Sequence, residues 1–573
     1  MRRTPRVRAR WRPRDVAVLA LTCAATIVFL GLAQGFDPQV RLHAQQIVPP
    51  PAIAGDLKEI PNQTGVMAAP QVVASAFMTT AESLTPEQLD VSRLGVDKLS
   101  STWAGRLAGV IPANEAAGPL AGTEVVPREI ASGPAASSAG PGAAAAGVLS
   151  RVLPLVPSTF GLAVRMVAEP SLAIGDSVMW MTGNWFAARS TDEGASWTYV
   201  NPYADFPTFT SDQDTVYDPH RHLFAWYRQG GQLPGRSENS FRLSVSTDRA
   251  ASWCSYTLRP SEVDPAWNTF NFDYPHLALS DHYLYVSSTL VVTGAGFASP
   301  RMILFRMPLD DLAGCAAFRY TYWTSDEGWS WTPVENGATT TMYLGDTLEA
   351  GGGAPTGIFR VYVQPESSST LYYADRSVPA WTFTERTGRC PVAGGGNPCA
   401  RTDGRVTSGW VRQQNGRGEV GFLWNVREGG GFPNPYIDAV TFDLEALAVT
   451  GRPLLWDSRC AWQYGAAAPE GEGLGIAAFY FCLSQPPAHA IGLADGAAGQ
   501  LKWTMAYSRK GDVPTSTVVW GDYIRVRADA RGYFATGYTI GENGAEPFLV
   551  SFGRNPLARS DDDLQPTGDN PRH

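Results

Sequence analysis

From about residue 170 onward the chain consists of short runs in which apolar and polar side chains alternate, each closed by glycine, proline, asparagine or aspartate. A period of two belongs to β-strands, and the punctuation belongs to tight turns. The runs fall into groups of four. Residues 170–174, 177–183, 185–190 and 197–200 make a first unit, and 215–218, 222–230, 241–246 and 253–258 a second. A third unit comprises 276–280, 282–292, 301–309 and 318–323, and a fourth 340–346, 358–364, 370–375 and 381–385. The fifth is 405–412, 419–426, 436–442 and 452–456, and the sixth is 462–467, 474–482, 488–494 and 501–508. The seventh shows only three runs, 523–529, 532–540 and 547–553. A recurring four-stranded unit that cannot bury both of its faces alone predicts an all-β ring of blades, a β-propeller. Seven four-stranded blades are expected, or six if one unit has been over-divided. A ring must also hide its edges, so the short seventh unit predicts a strand lent by the N-terminal side, and residues 161–167 are the expected donor. The propeller is thus expected over 160–556, with a disordered tail at 557–573.

Upstream the pattern changes. Seven arginines within the first fourteen residues precede an uncharged apolar run from Val16 to Ala33. That order is an export signal of bacterial type. Gly31 and Ala33 offer a cleavage site before Gln34, but the run is also long enough to remain as a signal anchor in the membrane. Residues 34–159 show little periodicity, and 131–147 contain only Ala, Ser, Gly and Pro. This stretch is expected to be a largely disordered stalk, with one short helix near 86–107.

Charge and cysteines narrow the partners and the compartment. Removing residues 1–33, with seven arginines and Asp15, takes the formal net charge from −9 to −15, which argues against nucleic acid. Six cysteines follow Cys23, an even number in an exported chain. Their spacing favours Cys254–Cys315, Cys390–Cys399 and Cys460–Cys482, although six cysteines allow fifteen pairings. No spacing suits zinc, and His220 and His222 read as a solvated turn.

Ser190-Thr191-Asp192-Glu193-Gly194-Ala195-Ser196-Trp197 lies between the third and fourth runs of the first unit. Ser246-Thr247-Asp248-Arg249-Ala250-Ala251-Ser252-Trp253 takes the same place in the second, with Ala where Gly stood. In such a turn the aspartate accepts backbone hydrogen bonds, the glycine takes a positive φ and the tryptophan packs between blades. Thr324 to Trp331 fits the same pattern but follows a fourth run, and Asp375 to Trp381 is a decayed version. On these motifs the chain resembles the sialidase-like Asp-box (BNR-repeat) propellers across about residues 160–556. The resemblance implies that Asp192, Gly194, Trp197, Asp248 and Trp253 are structural and lie opposite the functional face. It also implies that a sialidase would carry an arginine triad, and here the chain departs from the family. Arg165 is too far from Pro170, and Arg306-Met307-Pro308 lies deep in the third unit.

The functional face is then expected where the innermost strands begin, around the central channel. Those positions hold Glu169, Asp214, Asp273 with Tyr274, Asp403 with Arg405, and Asp522 with Tyr523. Converging carboxylates repel unless protons, arginines or a cation offset them, and Arg165, Arg405 and Arg525 are the local arginines, with Ca²⁺ as the alternative cation. Tyr274, Tyr343, Tyr464 and Tyr523 could stack on sugar rings. The expectation is an exported, periplasmic or secreted, monomeric propeller that binds a glycan or another extracytoplasmic macromolecule without a cofactor. The alternatives are a glycoside hydrolase or lyase, and a protein-assembly scaffold.

Overall fold

The computed structural model describes residues 57–74, 124–129, 148–155 and 169–554, apart from breaks at 233–234, 293–295, 329, 349–356, 382–387, 403, 415, 497–498, 515–519 and 543. Its strands form seven antiparallel sheets. The innermost strands are Ser171–Gly175, Phe209–Asp218, Phe270–Leu279, Thr332–Pro333, Val406–Gln414, Ala461–Glu470 and Val526–Asp529. Each packs against the next, and the last returns to the first, so the chain is a closed seven-bladed β-propeller. Between blades the core is apolar and heavily aromatic: Trp180, Trp226 and Trp253 join the first two blades, with ring centres 4.7–5.4 Å apart.

Two boundaries differ from expectation. Blade seven is closed from the N-terminal side, but by Val148–Pro154, which pairs with Gly544–Arg554 in the register Leu549 opposite Leu153. Residues 161–167 lie outside the described residues. Blade four is also shifted inward by one strand. Its innermost strand is the two-residue Thr332–Pro333, so Thr341–Thr347, Ile358–Pro365 and Leu371–Ser377 are its second, third and fourth, whereas residues 340–346 were expected to be innermost.

The N-terminal segment contributes further strands, so the propeller does not begin at Phe160 and residues 34–159 are not stalk throughout. Lys58–Ile60 adds a fifth strand to blade four, Gln63–Met67 to blade three and Gln71–Ala74 to blade two. Three outer edges are covered this way. Residues 124–129 lie along blades five and six, where Val125 bonds to Trp456 and Trp462, and Arg128 bridges to Ala506. The helix expected near 86–107 and the apolar run 16–33 lie outside the described residues. Among the described residues no helix is long and apolar enough to cross a membrane.

The two aspartate-centred turns share one hydrogen-bond pattern. Ser196 donates to Asp192 from its backbone N–H at 2.8 Å and its hydroxyl at 2.5 Å, while Ser190 Oγ accepts from Gly194 N–H. Ser252, Asp248, Ser246 and Ala250 repeat these contacts. Gly194 has φ 82°, and a methyl there would stand 2.8 Å from Leu153 of the closing strand. Ala250 adopts φ 58°. The segment at Thr324–Trp331 does not build this turn, because Asp326 pairs with Arg301. Asp375 pairs with Arg360 inside the fourth strand of its blade. All three expected disulfides are present, Cys254–Cys315, Cys390–Cys399 and Cys460–Cys482.

Candidate functional site

Along every blade the strands alternate in direction, so the beginnings of all innermost strands meet on one face and the third-to-fourth-strand turns at Asp192 and Asp248 lie on the other. The first face gathers two layers of charge. The outer layer is a mouth of carboxyls. Glu169 leads into the first blade, accepts from Asn184 Nδ2 at 2.8 Å, and also accepts from the backbone N–H of Asp522 at 3.0 Å. Asp212, Asp273 and Asp522 stand around it, each part-exposed. Arg405 lies over the Tyr274 ring, 3.7 Å from its centre, and 3.8 Å from the Asp522 carboxylate. Beside them a recess is lined by Tyr274, Thr402, Arg405, Thr407, Asn425, Tyr464 and Asp522.

The backbone is bent to make this mouth. Pairing registers shift between Asp273 and His276 and between Gln463 and Ala466, and at these bulges Tyr274 and Tyr464 take φ values of 51° and 59°. Positive φ at tyrosine is uncommon and strained, and here it turns both residues out of the strand pattern. Neither is a stacking platform, because Tyr274, Tyr343, Tyr464 and Tyr523 are all buried. The Tyr464 hydroxyl donates to Pro398 O and the Tyr523 hydroxyl to Gln213 O, so these tyrosines fix the wall.

The inner layer lies deeper along the same strands. Asp214 accepts from Arg525 at 3.2 Å through both Nε and Nη2, from Ser171 Oγ at 2.7 Å and from Leu277 N–H at 2.8 Å. Glu335 pairs with Arg525 at 3.3 Å and with Arg527 at 3.2 Å, and His276 Nδ1 lies 3.2 Å from both Glu335 and Arg525. Asp214, His276 and Arg525 are fully buried, as is the Glu335 carboxylate. This cluster ties the inner strands of blades one, two, three, four and seven together across the axis.

The two layers hold their charge differently. Burial pushes the Asp214 carboxyl up, but Arg525 and Arg527 outweigh it and leave the group below its ordinary range. Burial pushes the His276 imidazole down and keeps it neutral. At the mouth, the surrounding protein and the neighbouring charges of Glu169, Asp273 and Asp522 raise the Asp212 carboxyl well above the usual carboxylate range. Asp273 is also raised by its surroundings, with Arg405 pulling the other way. A carboxyl with a raised proton affinity therefore sits among other carboxyls.

The sequence-derived set is thus divided. Glu169, Asp273, Tyr274, Arg405 and Asp522 meet at the mouth, while Asp214 belongs to the buried cluster and Tyr523 to the wall; Asp403 lies outside the described residues. Asp212, Glu335, His276 and Arg527 were missed. Asp212 carries a legible signal, since it is a carboxylate two residues before Asp214 at the same strand entry. Among the described residues, the His/Cys/Asp/Glu groups whose ligand atoms lie within 4.8 Å of one another are Asp214, His276 and Glu335. Two guanidinium groups already neutralise them, so the charge balance suits arginine and leaves no call for Ca²⁺ there.

No family model and no curated protein matches the chain. Solved structures do. An α-L-arabinanase of Penicillium chrysogenum is 11% identical, with 71% of this chain and 97% of that one covered and a TM-score of 0.33. A Trypanosoma rangeli sialidase is 8% identical, with 71% and 59% covered and a TM-score of 0.31. An α-L-arabinanase of Cellvibrio cellulosa is 10% identical, with 59% and 95% covered and a TM-score of 0.28. At such values the likeness carries nothing about the chemistry of the mouth.

Proposed function

We propose that this chain is an exported Asp-box propeller whose channel mouth binds a glycan. The observation that supports the reading is the recess itself: Thr402, Thr407 and Asn425 lie beside Arg405 and Asp522, and the Asp212–Asp273 side adjoins them. Hydroxyls, an amide, a guanidinium and carboxyls around one opening match the dense donors and acceptors of a sugar. Three disulfides and the acidic net charge favour an oxidising, extracytoplasmic location. A glycan array probed with the full chain tests the reading. Binding should weaken in Arg405→Gln and Asp522→Asn and persist in Asp192→Ala, whose turn lies on the opposite face. A folded protein that captures no glycan refutes it.

A second reading is glycoside hydrolysis, favoured by one feature: burial and the neighbouring Glu169, Asp273 and Asp522 push the Asp212 carboxyl well above the usual carboxylate range. An acid that donates to a leaving oxygen, with a carboxylate opposite, is the pair such cleavage uses. Turnover of chromogenic glycosides that disappears in Asp212→Asn supports it; absence of turnover across the panel removes it.

A further inference from the structure

We propose that the mouth is built for a ligand bearing a cationic amino group, and that the glycan class it takes is an oligosaccharide of free amino sugars. The inference rests on the glycan-binding reading and adds the charge of the sugar. Four carboxyl groups, those of Glu169, Asp212, Asp273 and Asp522, share the mouth, and among the described residues the arginine recorded with them is Arg405, spent on Asp522 and Tyr274. An anionic sugar would add further negative charge to this group, and a neutral one would leave the imbalance untouched. A protonated amine placed between Asp212 and Asp273 offsets their crowding by ion pairs with charge-assisted hydrogen bonds.

Two buried groups point the same way. The Tyr227 hydroxyl is fully buried, has no hydrogen-bond partner, and lies within electrostatic reach of the Asp212 and Asp273 carboxyls. Asn184 is 5% exposed; its amide nitrogen serves Glu169 while its Oδ1, an acceptor, has no donor. Unmade bonds of this kind are costly in a native interior. An ammonium brings three N–H donors and no acceptor, which suits a mouth rich in carboxyl oxygens and the unmatched Tyr227 and Asn184 oxygens. Spacing separates the amine from a metal. Among the described residues no three mouth carboxyls approach within 4.8 Å of one another. That is too open for a cation coordinated at about 2.4 Å. It is compatible with an ammonium reaching oxygens at about 2.8 Å on either side.

Calorimetric titration of the full chain with four tetramers, at mildly acidic pH where amino sugars are charged, tests this. The tetramers are those of glucosamine, N-acetylglucosamine, glucose and lysine. The glucosamine tetramer should bind at least about tenfold tighter than its acetylated counterpart. In Asp212→Asn and Asp273→Asn that preference should fall to near unity with the melting temperature little changed, because asparagine copies the protonated acid. Equal affinity for the three sugars overturns the amino-sugar inference and leaves glycan binding in place. Binding of tetralysine alone overturns both.

Discussion

Asp212 and Asp214 sit two residues apart on one strand and yet their carboxyls are shifted in opposite directions, and the difference comes from partners far away in sequence. Arg525 and Arg527 come from blade seven and stabilise Asp214 as a carboxylate; Asp212 meets other carboxyls instead. Replacing Asp214 by Asn should cost about 3–5 kcal/mol, since it leaves two buried guanidiniums short of a partner. Asp212→Asn should move stability by less than about 1 kcal/mol, and urea denaturation of the two variants side by side checks both. A third buried group gives a pH dependence. His489 lies between Phe479 and Phe548, and burial pushes its imidazole down to about 3. A lowered folded-state pKa means that the folded state prefers the neutral ring. Its contribution is therefore complete above the unfolded value, about 6.5, and is lost as pH falls toward 3. His489→Gln should flatten the stability profile across that window by a few kcal/mol. An unchanged slope would show that carboxylates alone govern acid unfolding.

At the scale of strands and turns, alternation made most blades legible, because an eight- or ten-residue strand with one face buried writes its period plainly. Thr332–Pro333 could not be read that way: two residues have no period, and the following strand took its place in the expected order. Glu335 was lost with it, although it lies only two residues beyond that strand. The charge partners of Asp214 were hidden for another reason, since Arg525 is 311 residues away and meets it only when the ring closes. The aspartate turns were visible because their geometry is local. Asp192→Ala removes three side-chain acceptor contacts from Ser190 and Ser196 and should lower stability modestly while leaving ligand binding unchanged. Gly194→Ala should cost more, because the added methyl meets both an unfavourable φ and Leu153. Thermal melts of the two variants rank these costs.

The whole molecule is held by a circular arrangement in which the N-terminal side reaches around to finish what the C-terminal side leaves open. The seven-residue strand Val148–Pro154 completes blade seven, and Leu153 and Leu155 bury themselves against Leu172, Phe534 and Leu549 from blades one and seven. The strands within 58–74 have a different role: they cover outer edges of blades that are already four-stranded, with Met67 and Val73 buried but Val66 and Val72 exposed. Removing the two features should therefore have unequal consequences. A chain beginning at residue 147 loses edge cover, the contacts of residues 124–129 and, among the described residues, the buried Met67, Val73 and Pro127, yet keeps every blade complete. A chain beginning at residue 156 also loses the closing strand, with two buried leucines at about 2 kcal/mol each and a ladder whose partner edge is then open. For a domain of this size that difference should lower the melting temperature by about 10 °C or more, and should speed proteolysis of blade seven first. Equal melting of the two chains would mean that blades one and seven hold the ring without the closing strand, since both chains lack the same edge strands and differ only in residues 147–155.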